Sequence, residues 1–233
     1  IEGLYINLPS KMYVGLFSYL DEGAIVNVVL FDADVSGETG VGALVGQVEE
    51  GAIDGCYSNG EIHAADNMAG GLMGNLYQAA VTNSSSSANV VAGGNYAGGI
   101  VGRSDAGSLV GCHCSGTVHS TGYGAGGLLG INEDDSAITN CYSTGNVSSE
   151  DNYVGGLVGK NETATIVNCY SSGNITATAD DEYSYAGGLV GWNDGGVIVG
   201  CFSLGNVQAE GSATGGFAGE GSGTITNCYS LGN

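Results

Sequence analysis

The sequence predicts an all-β protein, a single β-solenoid (β-helix) of about eight coils of ~28 residues. Three observations carry this reading. A Val-Gly-Gly-Leu-Val-Gly opening recurs along the chain, its second glycine falling at Gly15, Gly42, Gly71, Gly99, Gly127, Gly156, Gly188 and Gly216. A column of large apolar residues keeps the same phase: Leu16, Leu44, Leu72, Ile100, Leu128, Leu157, Leu189 and Phe217. A third column holds only Asn and Gly: Asn27, Gly55, Asn83, Gly111, Asn140, Asn168, Gly200 and Asn227. Those two residue types share a tolerance of positive φ, so the chain is expected to turn there in a left-handed conformation.

Each segment of the unit then has a reading. The Leu157 column and a second apolar column (Ile25, Ile53, Val81, Leu109, Ile138, Ile166, Ile198 and Ile225) face the core. Stacked Asn side chains at the Asn168 column are expected to bond from coil to coil. The Gly173 column (Gly60, Ala88, Gly116, Gly145, Gly173, Gly205, Gly232) marks a second corner. The variable spacers, such as Ser148–Tyr153 and Thr176–Tyr185, complete the circuit. Coils stacked at the strand spacing of ~4.8 Å would span roughly 38 Å over eight units. A helical reading fails because no stretch keeps a 3.6-residue period and Gly costs about 1 kcal/mol per helical position. A propeller fails because its blades need ~40–50 residues.

The units differ in regularity. In the first, the run Ile25–Phe31 is apolar on both strand faces, which predicts cover from both sides. The third carries Ser84–Ser87 yet aligns position by position with the fifth, Val81–Val90 against Ile138–Val147, so it is a coil and not a linker. No boundary divides residues 1–233, which read as one repeat domain. Ile1–Ile6 fits the second half of a preceding unit and Asn233 falls inside one, so the expectation is an internal fragment of a longer surface protein.

Composition narrows the function. The 45 Gly never fall in a strict triplet, which excludes collagen. No apolar run reaches the ~18 residues that span a membrane, so no membrane insertion is expected. Three strong bases (Lys11, Arg103, Lys160) stand against 24 acids, giving a net charge of −21. A phosphate backbone needs several cationic partners, so nucleic acid is not expected to bind. The acidity reads as the self-repelling, soluble surface of an extracellular protein.

Six of the seven Cys share one column (Cys56, Cys112, Cys141, Cys169, Cys201, Cys228), whose other members are Val28 and Ser84. Interchange with Val and Ser points to a small interior filler, a ladder of free thiols. Bridges between adjacent coils are the alternative, because stacked Cα atoms fall in bridging range. Cys112 and Cys114 have no second pair at zinc spacing. Strand side chains alternate, so if Cys169 and Ser171 point inward then Tyr170 points outward. Tyr57, His113, Tyr142, Tyr170, Phe202 and Tyr229 would then form an external aromatic stripe. Tyr57, Tyr142, Tyr170, Phe202 and Tyr229 are therefore the candidate ligand contacts, against the reading in which the rings simply stack on each other.

Acid clusters at Glu133-Asp134-Asp135 and Asp180-Asp181-Glu182 lack the spacing of a calcium loop and read as solvated loops, so no cofactor is expected and Ca2+ is not favoured. The histidines His63, His113 and His119 make no His-Glu-x-x-His motif. Carboxylate pairs that cleave glycans are the third functional reading, weakened by the scarcity of cations. Four Asn-x-Ser/Thr matches, at Asn83, Asn146, Asn161 and Asn174, are what so Asn- and Ser-rich a repeat produces by chance.

The unit Gly-Gly-Leu-Val-Gly followed by Ile-x-Asn-Cys-Tyr-Ser-x-Gly-Asn-Val closely resembles the GLUG repeat, best at Gly127–Val147, Gly156–Ile175 and Gly188–Val207 and less closely in the first and third units. The resemblance implies a large secreted or surface-anchored bacterial protein, a class that includes adhesins and the non-catalytic part of immunoglobulin A1-specific metalloendopeptidases. The protease's zinc motif is absent from this chain, so no catalytic role carries over. The expectation is a non-catalytic structural or adhesive module at the cell surface. Its partners would be host glycan or protein, or adjacent domains of the same chain.

Overall fold

The computed structural model describes residues 1–179, 184–211 and 213–233. Strands and turns make up the described chain, and all pairing between its strands is parallel, a ladder that only crossover connections can produce. One coil shows the plan. Val154–Gly155, Val158–Glu162, Thr165–Val167, Tyr170–Ser171 and Ile175–Ala177 follow one another around a circuit. Each pairs with its counterpart one coil on, which builds four sheets of seven, eight, eight and fourteen strands. We number them sheets 1 to 4 in circuit order, with the last two strands of the coil both in sheet 4. Eight coils stack, as the period predicts: sheet 2 runs from Phe17–Asp21 to Ala218–Gly221.

The register keeps like with like. Ile138, Ile166 and Ile198 lie opposite one another, as do Tyr142, Tyr170 and Phe202. The interior is largely apolar, with columns of buried Asn and Ser, and Leu44, Leu72, Ile100, Leu128, Leu157 and Leu189 have no solvent exposure. At the two ends of the stack the same columns are open: Leu16 and Phe217 are only partly buried and Ile225 is exposed. Val26, Val29 and Phe31, the outward members of the doubly apolar run, are exposed at one end. The third unit is a full coil, with Val81 opposite Leu109 and Val90 opposite Val118. The register also moves one assignment. Gly42 pairs with Gly70, so Ala43 stands opposite Gly71.

All eight members of the Asn168 column have positive φ, from 48° at Asn83 to 67° at Gly200. Two further corners use the same conformation with residues that do not advertise it. One is Glu22, Glu50, Gln78, Ala106, Asp134 and Thr163; the other is Tyr13, Met68, Tyr96 and Tyr153. The Gly173 column is a bend of a different kind. A Cβ on Gly173 would lie 1.8 Å from the carbonyl oxygen of Gly145, and Gly145 and Gly205 are equally tight against their own neighbours. Glycine is present there because backbones touch between coils. Before this bend is established, Val29–Gly37 and Tyr57–Ala64 run unbroken through sheet 4; from Ala88 onward each splits into two short strands.

The coil-to-coil asparagine bonds expected at the Asn168 column occur in two other columns. On the inward side of sheet 2, Asn132 Nδ2 donates to Asn161 Oδ1 and Asn161 Nδ2 to Asn193 Oδ1, both at 2.8 Å and fully buried. On the outward side of sheet 4, the backbone N–H of Asn174 donates to Asn146 Oδ1 at 2.9 Å, and that of Asn206 to Asn174 Oδ1 at 3.2 Å.

Candidate functional site

The groups with nucleophilic chemistry lie inside the stack and are engaged there. Cys56, Cys112, Cys114, Cys141, Cys169 and Cys201 are buried, Cys228 is half-buried, and all seven are unpaired thiols. Each sulfur in the column accepts the backbone N–H of the coil before it: Cys112 to Cys141, Cys141 to Cys169, Cys169 to Cys201 and Cys201 to Cys228, all at 3.3 Å. Ser84 takes the same place, accepting from Cys56 N at 3.1 Å, which explains why serine substitutes for cysteine in this column. Burial pushes the Cys114 thiol up to about 12 and raises that of Cys56, so neither supplies a thiolate at neutral pH. Some inward serines of sheet 4 turn to the facing glycine column: Ser58 Oγ donates to Gly71 O at 2.7 Å and Ser203 Oγ to Gly216 O at 2.6 Å, whereas the buried Ser143 Oγ has no partner among the described residues.

The aromatic column stands on the outer side of sheet 4, as alternation requires: Ser171 is fully buried and Tyr170 half-exposed. His113, Tyr142, Tyr170, Phe202 and Tyr229 form one continuous stack with centroids 4.8, 4.8, 4.9 and 5.2 Å apart and planes within 8° of parallel. In this geometry each ring face covers the next, and edges and phenol hydroxyls are what solvent sees. Tyr57 is separate from the stack. Ser85 replaces the ring between Tyr57 and His113, and the Tyr57 hydroxyl bonds Ser87 Oγ at 2.7 Å. Four of the five candidate contacts are thus brought together, in an arrangement that uses their faces internally.

Beyond the Gly145 bend, the second row of sheet 4 carries a groove of about 520 Å3. One wall is the exposed column Thr117, Asn146, Asn174 and Asn206; the other is His119, Ser148, Thr176 and Gln208. His119 Nδ1 lies 2.9 Å from Ser148 Oγ, and its Nε2 lies 3.8 Å from Glu150 at the rim. Neither wall contains Lys, Arg, Asp or Glu. The sequence reading missed this surface, although the signal was present: Asn recurs immediately after the Gly145 column at Asn146, Asn174 and Asn206.

The acid cluster at 133–135 takes part in the frame. Glu133 pairs with Arg103, which also holds Asp105 at 2.9 Å, and Asp134 and Asp135 occupy a positive-φ corner. Burial pushes the Glu133 carboxyl up, and the Arg103 guanidinium opposes it. Lys160 bonds Glu162, lies 3.8 Å from Asp194 and sits 4.4 Å over the Trp192 ring. The second acid cluster, Asp180-Asp181-Glu182, lies outside the described residues. Among the described residues no group of three or more His, Cys, Asp or Glu converges as a metal site. A second aromatic group, also unanticipated, joins Tyr96, Tyr123, Tyr153, Tyr185 and Trp192 through tilted and edge-to-face contacts of 5.1–5.8 Å.

A parallel, in-register stack of this kind defines the chain as a β-solenoid repeat protein. Three of its units match the model of the GLUG motif, over residues 121–148, 150–176 and 182–208. A solved structure from Bacteroides ovatus, provisionally named an immunoglobulin A1 protease, shares the fold with a TM-score of 0.58 at 21% identity. The likeness covers 97% of this chain and 66% of that one, so the present chain spans just under two thirds of its neighbour. No curated protein matches the sequence.

Proposed function

We propose that this chain is a non-catalytic, rigid repeat segment of a secreted or surface-exposed bacterial protein, acting as a stalk or interaction surface. The observation that carries the reading is the commitment of the interior. Cysteine sulfurs, serine hydroxyls such as those of Ser58 and Ser203, and the Asn161 ladder are bonded to the next coil or across the core, so most of the interior groups that could do chemistry are spent on stacking. Function is then left to the outer faces, where the chain meets adjacent domains or host glycan and protein. The GLUG motif and the net charge of −21 fit an extracellular setting. The neighbour's name makes immunoglobulin A1 the substrate to test first. Incubation of the purified chain with immunoglobulin A1, and separately with a panel of polysaccharides, is expected to release no fragments. Stoichiometry-exceeding cleavage of any of them would overturn the non-catalytic reading.

A further inference from the structure

We infer that the groove over the second row of sheet 4 binds a neutral, polyhydroxylated chain, a linear oligosaccharide lying along the solenoid axis. The inference rests on the reading of this chain as a non-catalytic interaction surface, and it places the ligand away from the aromatic stack. Four features of the groove support it.

The first is the anchoring of the amides. Asn146 Oδ1 and Asn174 Oδ1 accept backbone N–H groups from the next coil. That bond holds each carboxamide on the exposed wall, and its NH2 donors make no other bond among the described residues. Donors held in this way lose little freedom when a ligand arrives. The second feature is their repeat. The wall advances one coil at a time, at the strand spacing of ~4.8 Å, so a ligand with hydroxyls recurring along its length meets the same donor in each coil. The facing wall adds Ser148 and Thr176 hydroxyls, which both donate and accept.

The third feature is charge. No cation lines the groove to hold a carboxylate, sulfate or phosphate, and a molecule of net charge −21 repels polyanions. A neutral glycan meets neither obstacle. The fourth is backbone satisfaction. The strands beneath the groove are paired on both sides, Val147 with Val118 and with Ile175, so no free edge is offered to a peptide strand. The volume, about 520 Å3, is that of a small-ligand cleft and suits a few sugar rings.

Substitution Asn174→Asp separates this role from the structural one. A carboxylate keeps the acceptor for Asn206 N–H and removes the NH2 donors. The intact 233-residue chain is screened on an array of neutral and acidic glycans, and the best neutral oligosaccharide is then titrated calorimetrically. We expect neutral linear glycans to bind and acidic ones to fail. Asn174→Asp and Thr176→Val should each weaken binding about tenfold or more with unchanged unfolding midpoints, and Tyr170→Leu should leave affinity unchanged. Silence across the neutral glycans, full affinity in Asn174→Asp, or a loss that follows Tyr170→Leu would overturn the inference. Any of these leaves the scaffold reading standing. Cleavage of the bound glycan would overturn the scaffold reading and leave the groove as the binding site.

Discussion

Replacing Asn161 with Leu is expected to destabilise the chain by about 3–5 kcal/mol, read as a lower denaturant midpoint. Asn161 is fully buried and links Asn132 to Asn193. Without it, Asn132 Nδ2 loses its acceptor and Asn193 Oδ1 its donor, and a buried polar group left unmade costs about 1–3 kcal/mol. A bulkier side chain in a packed interior adds strain. The triple variant with Leu at 132, 161 and 193 is expected to be less damaged than the single one, because no amide is then orphaned. The carbonyls of Ala164 and Gly196, which also bond these amides, keep the backbone donors Val197 N and Thr224 N. The same column is already apolar in earlier coils, at Val48 and Leu76. A triple variant less stable than Asn161→Leu would refute the view that the amides matter as a connected ladder.

The second large effect is expected from the smallest possible change, Gly173→Ala. The new methyl would sit 1.8 Å from Gly145 O and 2.5 Å from Gly145 C, and both obstacles are backbone. Two coils must part locally, lengthening the neighbouring ladder bonds, for a loss of about 3 kcal/mol or more. Ala88 is the column's natural alanine, and the glycine opposite it in the preceding coil, Gly60, has φ of 117°, so that coil carries a local distortion the others do not. The control is Gly111→Asn, which exchanges the two residue types of the corner column at φ of 66° and should change stability by under about 0.5 kcal/mol. A Gly173→Ala variant as stable as the parent would show that the coils are not in contact there.

What the sequence disclosed depended on how few residue types a position accepts. The Asn168 corner was legible because only Asn and Gly occupy it. The corners at Glu50, Gln78 and Thr163, and at Tyr96 and Tyr153, adopt the same left-handed conformation with residues that disfavour it, so no local preference pointed to them. Tertiary stacking imposes the turn. The Cys column was legible as interior filler through its Val and Ser members, but the N–H to sulfur bonds that make Cys and Ser equivalent appear only in the structure. The buried amides were hidden because Asn reads as turn or surface. The usable clue was the column: Asn161 stands in register, through Asn132 and Ser104, with the apolar Leu76 of an earlier coil.

The candidate site followed the same pattern. Alternation placed Tyr170 outward correctly, yet only geometry shows that its faces are covered by Tyr142 and Phe202. The groove is hidden in the sequence because Asn146 and Asn174 fall in chance Asn-x-Ser/Thr matches, which mask the column they form.

The repeat's recurring side chains are spent inside the stack, and the accessibility of its thiols reads this out. In the native chain a small water-soluble disulfide reagent is expected to modify Cys228, which is half-buried at an open end, and to leave the six buried thiols unreacted. Denaturant should release all seven. Rapid modification of all seven in the native state would place the cysteine column outside and contradict the account.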